Sequence, residues 1–560
     1  MNKKKQTILL FFLFSFSAYC ALIIGKSWDE GTDLLHGKST LNYLFSLGKF
    51  DDYFVGREYY SAIYWSLQYL LTTIFPSKYQ IEISHLVNLI FSLAAIIGIS
   101  QLGKELFNKK VGKIIFLVLF FYPIFFGHMG MNPKDTILAF SHVWITLLTL
   151  KYLRKQHCED KDYINNYIIS IGVLAALSTG IQLFFLGSLI PIFLFVLLEI
   201  FFFKKIVNKK FNNKKFFYDL VKCFAVFYFL LIFFWIDAHP NILTLPLKFF
   251  MEALSNTYVT GWPFNLVNGN YYLSWQVPQL YILVNIFYKS PEYFLMTYIF
   301  FLFIIIKSSL FFDKKFIYFR YKLCLIIVIL IFPILVSLII PFPLYDGLRL
   351  FLWALPYFCI IPGLTIYYLV ENLNFMWSKL ASLLLSLLII YYLFNFFSYT
   401  PYQYTYLNIF SGKAENRYQK FENDYWGVSI YELLKYSDFD KEKTIKIATC
   451  GINSAQAKKY LRKKGYANLI FSDLKQADYI IMTNRTSLVS GELTAKSTNE
   501  TVKIMNCFDR FEGEDAFQLN FRFSDVESSA SKPSQPVRNQ SYRGSYPCSA
   551  IRACTAVLRR

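Results

Sequence analysis

Apolar residues along this chain are gathered into blocks that short polar segments separate. Many of these blocks approach the 17 to 25 residues that a helix needs to cross a hydrocarbon core of about 30 Å. The predicted spans are residues 8–24, 82–101, 114–130, 136–150, 164–179, 181–203, 217–236, 293–306, 323–341, 350–370 and 379–397. The short pair of blocks around Gly180 is also readable as one broken helix. The pattern predicts an α-helical polytopic membrane protein with about eleven transmembrane helices.

Basic residues are concentrated in alternate connecting loops. Four of these loops carry clusters of Lys and Arg, at 102–113, 151–163, 204–216 and 307–322, and the fifth, 371–378, carries none. Because basic loops stay on the cytoplasmic side, the N-terminus is predicted to be cytoplasmic, ahead of a retained signal anchor. The long loops 26–81 and 237–292 then lie outside, as does everything after about residue 398. We therefore expect a multi-pass protein of the cell inner (plasma) membrane.

Composition agrees with a membrane protein and argues against nucleic-acid binding. Of 560 residues, 55% are hydrophobic and 17% are charged, against about 25% charged in soluble domains. The net charge of +20 would suit nucleic acid, but its cations lie in the short loops between spans. The nine cysteines show no CxxC spacing, so no metal site is readable. No cofactor is identified, and the need for a divalent ion stays open.

The region after the last span changes character. Thr444–Cys450 and Asp478–Met482 are predicted strands, with a basic helix near 456–464 between them. We predict four parts: a transmembrane domain, a membrane-proximal outer segment, a small extracytoplasmic α/β domain and a disordered Ser- and Arg-rich tail. Their bounds are 1–398, 399–440, 441–524 and 525–560.

The first outer loop opens with two adjacent carboxylates, Asp29 and Glu30, directly after Trp28. Topology does not explain them, because acidic residues contribute little to orientation. One interpretation is a solvated start of a loop. The other is a general base that takes a proton from an acceptor hydroxyl, and the pair alone does not say which carboxylate reacts.

The turn at 127–135 places His128, Lys134 and Asp135 between two apolar spans. It is explained equally well as a helix connection, in which Asp135 compensates the positive end of the next helix. Alternatively, Lys134 and His128 bind a phosphate at a helix N-terminus, which is suited to anions.

Two further outer segments carry candidate binding residues. The loop 237–292 contains aromatic and amide side chains that suit either a membrane-interface belt or a sugar-binding surface. The candidates in it are Asn268, Tyr271, Trp275 and Gln276. The turn at 343–349 contains Asp346 and ends in Arg349, which either snorkels to the interface or holds a lipid phosphate.

In chain order, these segments resemble the membrane-embedded GT-C glycosyltransferases, in the branch of bacterial relatives of the dolichyl-phosphate-mannose–protein mannosyltransferases. The resemblance covers roughly residues 20–430. It rests on WDEGTDLLHG, GHMGMNPKD, NGNYYLSWQVPQLY followed by YKSP, YDGLRLFLWALP, PYQYTYLN and NDYWG. The sequence departs from the family pattern at Gln182, where relatives often carry a basic residue.

The resemblance implies a hexosyl- or pentosyltransferase that moves a sugar from a polyprenyl-phosphate carrier to an acceptor on the outer face. The acceptor is a protein, a glycolipid or a polysaccharide, and membrane lipids surround the chain. The family's presumed catalytic base maps onto Asp29, with Glu30 beside it. Lys134, Asp135 and Arg349 would lie near the lipid phosphate.

Two other functions stay open. A transporter or flippase of lipid-linked sugars would place ionisable residues inside spans and show repeat symmetry, and no repeat is visible. A non-catalytic envelope-assembly protein would use the outer domain for binding, but it leaves the polar outer motifs unexplained.

Overall fold

The computed structural model describes most of the chain. The described residues are 3–49, 58–157, 161–254, 264–340, 342–413, 417, 420–436, 439, 443–450, 454–466, 468–472, 476–483, 492–494, 501–503, 520–525 and 551–559.

Helices dominate these residues. They are α1 (Lys3–Ile23), α2 (Glu30–Phe45), α3 (Ile63–Thr73), α4 (Gln80–Leu106), α5 (Lys109–Phe120), α6 (Pro123–His128), α7 (Asp135–Lys155), α8 (Lys161–Ile181), α9 (Phe185–Ser188), α10 (Ile190–Leu198), α11 (Asn213–Phe233), α12 (Thr244–Leu254), α13 (Tyr281–Lys289), α14 (Glu292–Lys315), α15 (Phe319–Ile339), α16 (Leu355–Phe358), α17 (Ile360–Glu371), α18 (Met376–Ser398), α19 (Ile430–Tyr436) and α20 (Ser454–Lys463).

The predicted fold class, an α-helical polytopic membrane protein, is confirmed. In the described part of the chain, seven helices are long and apolar enough to cross a membrane: α1, α4, α7, α8, α11, α15 and α18. Helices α13 and α14 make an eighth span if they are counted together, although their axes are bent by 114°. The predicted count of eleven spans stays a prediction.

Three predicted spans are shorter or broken helices in the structure. The block 114–130 is divided into α5 and α6, the block 181–203 into α9, α10 and a π-helical turn, and the block 350–370 into α16 and α17. Prolines lie in the first turn of α6, α10 and α16. Since proline lacks an amide hydrogen and is favoured at the start of a helix, it restarts each apolar run as a new helix.

The two long predicted outer loops contain helices. The first contains α2 and α3, and the second contains α12 and α13. Hydropathy does not reveal α2, because the face that it buries includes polar side chains such as Asp33, His36 and Thr40.

Strands occur in the second predicted outer loop and in the C-terminal domain. They are β1 (Phe264–Val267), β2 (Asn270–Leu273), β3 (Ile445–Cys450), β4 (Leu469–Phe471), β5 (Tyr479–Thr483), β6 (Glu492–Thr494), β7 (Thr501–Lys503), β8 (Asn520–Asp525) and β9 (Ile551–Arg559). The predicted strands near 444–450 and 478–482 and the helix between them are therefore present, as β3, β5 and α20.

A five-stranded sheet has the order β4-β3-β5-β9-β8. Strand β3 is parallel to β4 and β5, and β9 is antiparallel to both β5 and β8. The predicted disordered tail, 525–560, includes residues that form strand β9 in the structure. Strand β9 is rich in apolar and β-branched residues, which favour strands. Residues 526–550 lie outside the described residues.

Two glycines bring the segment after α18 against the turns that carry the candidate site. A Cβ atom on Gly127 would lie 2.3 Å from the Tyr404 backbone nitrogen, and one on Gly25 would lie 2.1 Å from the Val428 carbonyl oxygen. Both approaches therefore require glycine. They hold Tyr404 and Val428 against the turn before α7 and the start of the first predicted outer loop.

Candidate active site

Asp29 and Lys134 form an ion pair between the first two turns that are predicted to lie outside. Asp29 is at the N-cap position of α2, and Lys134 directly precedes α7. The Lys134 Nζ lies 2.9 Å from Asp29 Oδ2 and 3.5 Å from Asp33 Oδ1. The Asp29 side chain is 27% exposed and that of Lys134 11%, whereas Asp33 is fully buried. Asp29 is thus the carboxylate of this group that solvent reaches.

Glu30 has a different environment from its neighbour. Its Oε1 lies 2.7 Å from His85 Nε2, and its Oε2 accepts the Ser27 backbone amide at 2.6 Å. The other His85 nitrogen, Nδ1, lies 2.8 Å from the Ala21 carbonyl oxygen, which only accepts, so Nδ1 carries a proton. Glu30 is buried with both oxygens engaged, which favours a role in positioning the loop.

The turn before α7 is fixed by amide side chains. Asn132 donates to Asp135 Oδ2 at 2.9 Å and accepts the backbone amides of Lys134 and Asp135 at 3.1 and 2.9 Å. Asn88 on α4 donates to the carbonyls of Met129 and Asn132 at 3.0 and 2.9 Å. Since these bonds are made inside the protein, the backbone around Lys134 is preorganised before any ligand binds.

Arg349 is held between two carboxylates. Its Nε donates to Asp135 Oδ2 at 2.9 Å, and its Nη1 donates to Asp346 Oδ2 at 2.6 Å. The guanidinium carbon lies 4.5 Å from the centre of the Trp426 ring. Burial lowers the pKa of Arg349, but Asp135 and Asp346 outweigh it and raise the pKa above its ordinary value. Arg349 is therefore a permanent, buried cation that joins the turn before α7 to the turn before α16.

His128 lies in the same interior. Its Nε2 is 2.6 Å from the Tyr425 hydroxyl, and its Nδ1 is 3.2 Å from the Asn132 amide nitrogen. It is fully buried, and Asp135 is nearly so. Both His128 nitrogens and the Asp135 Oδ2 are engaged within the protein. A direct contact of His128 or Asp135 with a donor phosphate stays a prediction.

The predicted sugar-binding residues fall into two groups. Asp346 is fully buried against Arg349. Asn268 is exposed, has φ +49° and is followed by Gly269 at φ +90°, as the tight turn between β1 and β2 requires. Tyr271, Trp275 and Gln276 are half-buried. Among the described residues, Asn268, Trp275 and Gln276 make no hydrogen bond or ring contact with Asp29 or Lys134.

Some residues of the site were missed by sequence reasoning. The Lys134 Nζ lies 5.9 Å from the ring centre of Tyr60 and 5.8 Å from that of Trp65, close enough for a cation–π interaction. Lys289, from the YKSP motif, is buried with its Nζ 5.7 Å from the Phe421 ring centre. The spacing of Asp29 and Asp33, one helical turn apart, was the available signal for Asp33.

No group of three or more His, Cys, Asp or Glu side chains suited to a metal ion occurs among the residues that the structure describes.

Comparisons with known proteins find structural similarity only. No family model and no curated protein sequence matches the chain. The structure of ArnT from Cupriavidus metallidurans in the apo state is similar over 86% of this chain and 94% of that one, with 10% identity and a TM-score of 0.49. The same protein bound to undecaprenyl phosphate gives 9% identity and a TM-score of 0.47, with the same coverage.

A third similar structure is the apo oligosaccharyltransferase of Archaeoglobus fulgidus, which has 12% identity and a TM-score of 0.45. The match covers 84% of this chain and 69% of that one. These structures belong to the class that the sequence resemblance indicates. With TM-scores below 0.5, they carry no activity and no residue role over to this chain.

Proposed function

We propose that this protein is a membrane glycosyltransferase that moves a sugar from a polyprenyl-phosphate carrier to an acceptor at the outer face, with Asp29 as the catalytic base. The observation that supports this most is the Asp29–Lys134 pair, 2.9 Å apart, in which the Asp29 side chain is 27% exposed. A base and a cation side by side are what attack by a hydroxyl on a sugar phosphate requires.

Asp29 receives the proton in the proposed reaction. The acceptor hydroxyl loses its proton to the Asp29 carboxylate, and its oxygen forms a bond to the anomeric carbon. The bond between that carbon and the phosphate oxygen breaks, and its electron pair leaves with the carrier phosphate. Proton transfer to a positioned carboxylate contributes about 10²–10⁴-fold to such rates.

Lys134 stabilises the charge that develops on the leaving phosphate. In the free protein its Nζ is shared by Asp29 and Asp33, at 2.9 and 3.5 Å. A donor phosphate competes for this ammonium, and as Lys134 turns toward it, Asp29 loses a counter-ion and becomes a better base. Asp33 stays buried and keeps Lys134 close to the site. This exchange of partners couples donor binding to activation of Asp29.

Arg349 has a structural role in the proposed site. Because Asp135 and Asp346 hold two of its nitrogens, we assign it to fixing the two turns and to adding positive potential beneath Lys134. The Asp29 carboxylate also raises the pKa of Arg349, so the two side chains interact electrostatically.

The position of the pair suits a lipid-linked donor. Asp29 follows the end of α1 by six residues, and Lys134 directly precedes α7, and both helices can span a membrane. The head group of a carrier that stays in the bilayer would be met at this level. The cytoplasmic N-terminus and the outer location of the C-terminal domain are part of the proposal.

Analysis of envelope glycans by mass spectrometry tests the function. A deletion strain should lose one glycan modification, and the wild-type gene and a Glu252→Gln control should restore it. Glu252 is a half-buried carboxylate of the second predicted outer loop, paired with Lys248. The Asp29→Asn gene should not restore the modification although the protein reaches the membrane. Full restoration by Asp29→Asn would refute the role of Asp29.

The transporter alternative predicts ionisable groups inside spans. His142 is such a group, in the middle of α7, but its Nδ1 lies 2.8 Å from the Tyr357 hydroxyl and its Nε2 3.1 Å from the Ser188 carbonyl oxygen. Both nitrogens are engaged in a packed interior, so His142 does not favour transport. A translocation assay for lipid-linked sugars in liposomes would reveal transport directly.

A further inference from the structure

The outer α/β domain is attached to the first outer loop close to the end of α1. The Lys26 backbone amide donates to the Tyr460 hydroxyl of α20 at 3.0 Å. Trp28 packs against the hydrophobic cluster of that domain, which includes Leu433 and Leu461. Helix α1 ends at Ile23, three residues before Lys26. Helix α20 is thereby fixed at the level where a membrane span ends.

Helix α20 has one apolar face and one basic face. Ala457 and Leu461 are buried in the domain core. The side chains of Lys458, Lys459, Arg462 and Lys463 are exposed. Residues 454–466 include no Asp or Glu. An uninterrupted basic face outside the cell is not required for topology, since basic residues there oppose the usual orientation signal.

The basic face is directed toward the membrane end of the domain. Lys463 follows Tyr460 by three residues, so it lies on the same side of α20 as the hydroxyl that accepts from Lys26. Lys459 is near enough to Lys26 to disfavour its charge. Burial lowers the pKa of Lys26, Glu30 raises it and Lys459 lowers it further. A bound anion would reduce the electrostatic repulsion between Lys26 and Lys459.

We propose that the basic face of α20, together with Lys26, binds the phosphate groups of anionic phospholipids at the end of α1 and so holds the outer domain over the first loop. The bilayer is the favoured source of phosphate because the Tyr460–Lys26 bond fixes α20 at the membrane surface. A basic surface at this level is attracted to anionic head groups. The inference does not depend on sugar transfer.

Hydrogen–deuterium exchange of the full chain in nanodiscs tests this inference. We compare phosphatidylglycerol with phosphatidylcholine discs and follow the backbone amides of 457–464. Protection should be roughly tenfold higher in phosphatidylglycerol, because each cation near an anionic surface strengthens binding several-fold. The Lys459→Gln/Lys463→Gln double variant should lose this difference. Both side chains are exposed, so the domain should keep its fold.

A Lys435→Gln variant is the matched control, because Lys435 is an exposed cation of the same domain on α19. It should keep the difference between the lipids. Equal protection in both lipids, or an unchanged difference in the double variant, would overturn the proposal. Protection by inorganic phosphate in phosphatidylcholine discs, with none from phosphatidylglycerol, would also overturn it by assigning the surface to a soluble phosphate.

Discussion

Charged residues have different environments at the two ends of the helical bundle. Helix α7 has Asp135 at one end and Arg154 at the other, about 28 Å away at 1.5 Å per residue. At the Asp135 end, Arg349 and Asp135 are both under 10% exposed and are bonded within the protein. At the Arg154 end, the Arg320–Asp313 pair is 71% and 32% exposed. The charges named at the first end are buried and fixed by bonds within the protein, whereas the pair named at the second end is largely open to solvent.

Glu199 shows that a buried charge alone does not define a functional site. It lies at the predicted cytoplasmic end, is fully buried and accepts the Val207 backbone amide at 2.8 Å. It also accepts the Tyr321 hydroxyl. Glu199 thus shapes a loop, and it forms no ion pair with a cation in the part of the chain that the structure describes. The site around Asp29 differs because its carboxylate is 27% exposed and is paired with a cation, Lys134.

Arg349→Met should have the largest effect on stability. It leaves Asp135 and Asp346 buried without their cation, and breaking such a pair lowers the free energy of unfolding by about 3–5 kcal/mol. Thermal unfolding in detergent measures the change. Arg320→Met is the control at the opposite end, where an exposed pair contributes about 0–1 kcal/mol. Equal small effects of both variants would remove the contrast between the two ends.

Lys134→Met should mainly reduce sugar transfer. Removing a cation from the position of the leaving phosphate lowers kcat by about 10²–10³-fold. Lys134→Arg, which keeps the charge, is the matched variant and should retain more activity. Steady-state transfer with a polyprenyl-phosphate-linked sugar measures this, and an unchanged kcat in Lys134→Met would show that the phosphate is bound elsewhere.

Glu30→Gln separates positioning from catalysis in the acidic pair. It weakens the hydrogen bonds to His85 and Ser27, and bonds to a charged group are worth about 1.5–3 kcal/mol. Asp29→Asn should lower the unfolding free energy less, since Asp29 is partly exposed. The two melting temperatures provide the test. A smaller loss for Glu30→Gln would contradict the positioning role.

Lys110→Gln should have the smallest effect. Its partner is Glu371, and Lys110 is 71% exposed. Such an exposed pair contributes little to the free energy of unfolding and is screened by salt. A loss of several kcal/mol would show that pairs at the predicted cytoplasmic end are also structural.

Long apolar blocks were sufficient to predict the seven helices that are long and apolar enough to cross a membrane, and strand patterns were sufficient for β3 and β5. Short apolar runs were less informative, because a proline such as Pro123 divides a block of spanning length without changing its hydropathy. Helix α2 was missed for the opposite reason, since Asp33 and His36 are buried polar residues that a search for apolar residues passes over.

The candidate residues of the site were predictable, but not their contacts. Asp29, Lys134 and Arg349 were recognised from polar motifs at span ends. That Lys134 pairs with Asp29, and Arg349 with Asp135, depends on how distant turns meet in space, which local patterns do not encode. The difference between Asp29 and Glu30 arises from His85, which lies inside an apolar helix and had no signal of its own.

The most direct test of the central claim is to measure donor binding and transfer separately in the Asp29→Asn variant. If Asp29 is the base and Lys134 holds the phosphate, Asp29→Asn should bind the lipid-linked donor at least as tightly as the wild type, because the phosphate then has one competitor fewer for Lys134, and should lose about 10²–10⁴-fold in kcat. A variant that transfers sugar at the wild-type rate would contradict the account. So would one whose whole defect lies in donor binding.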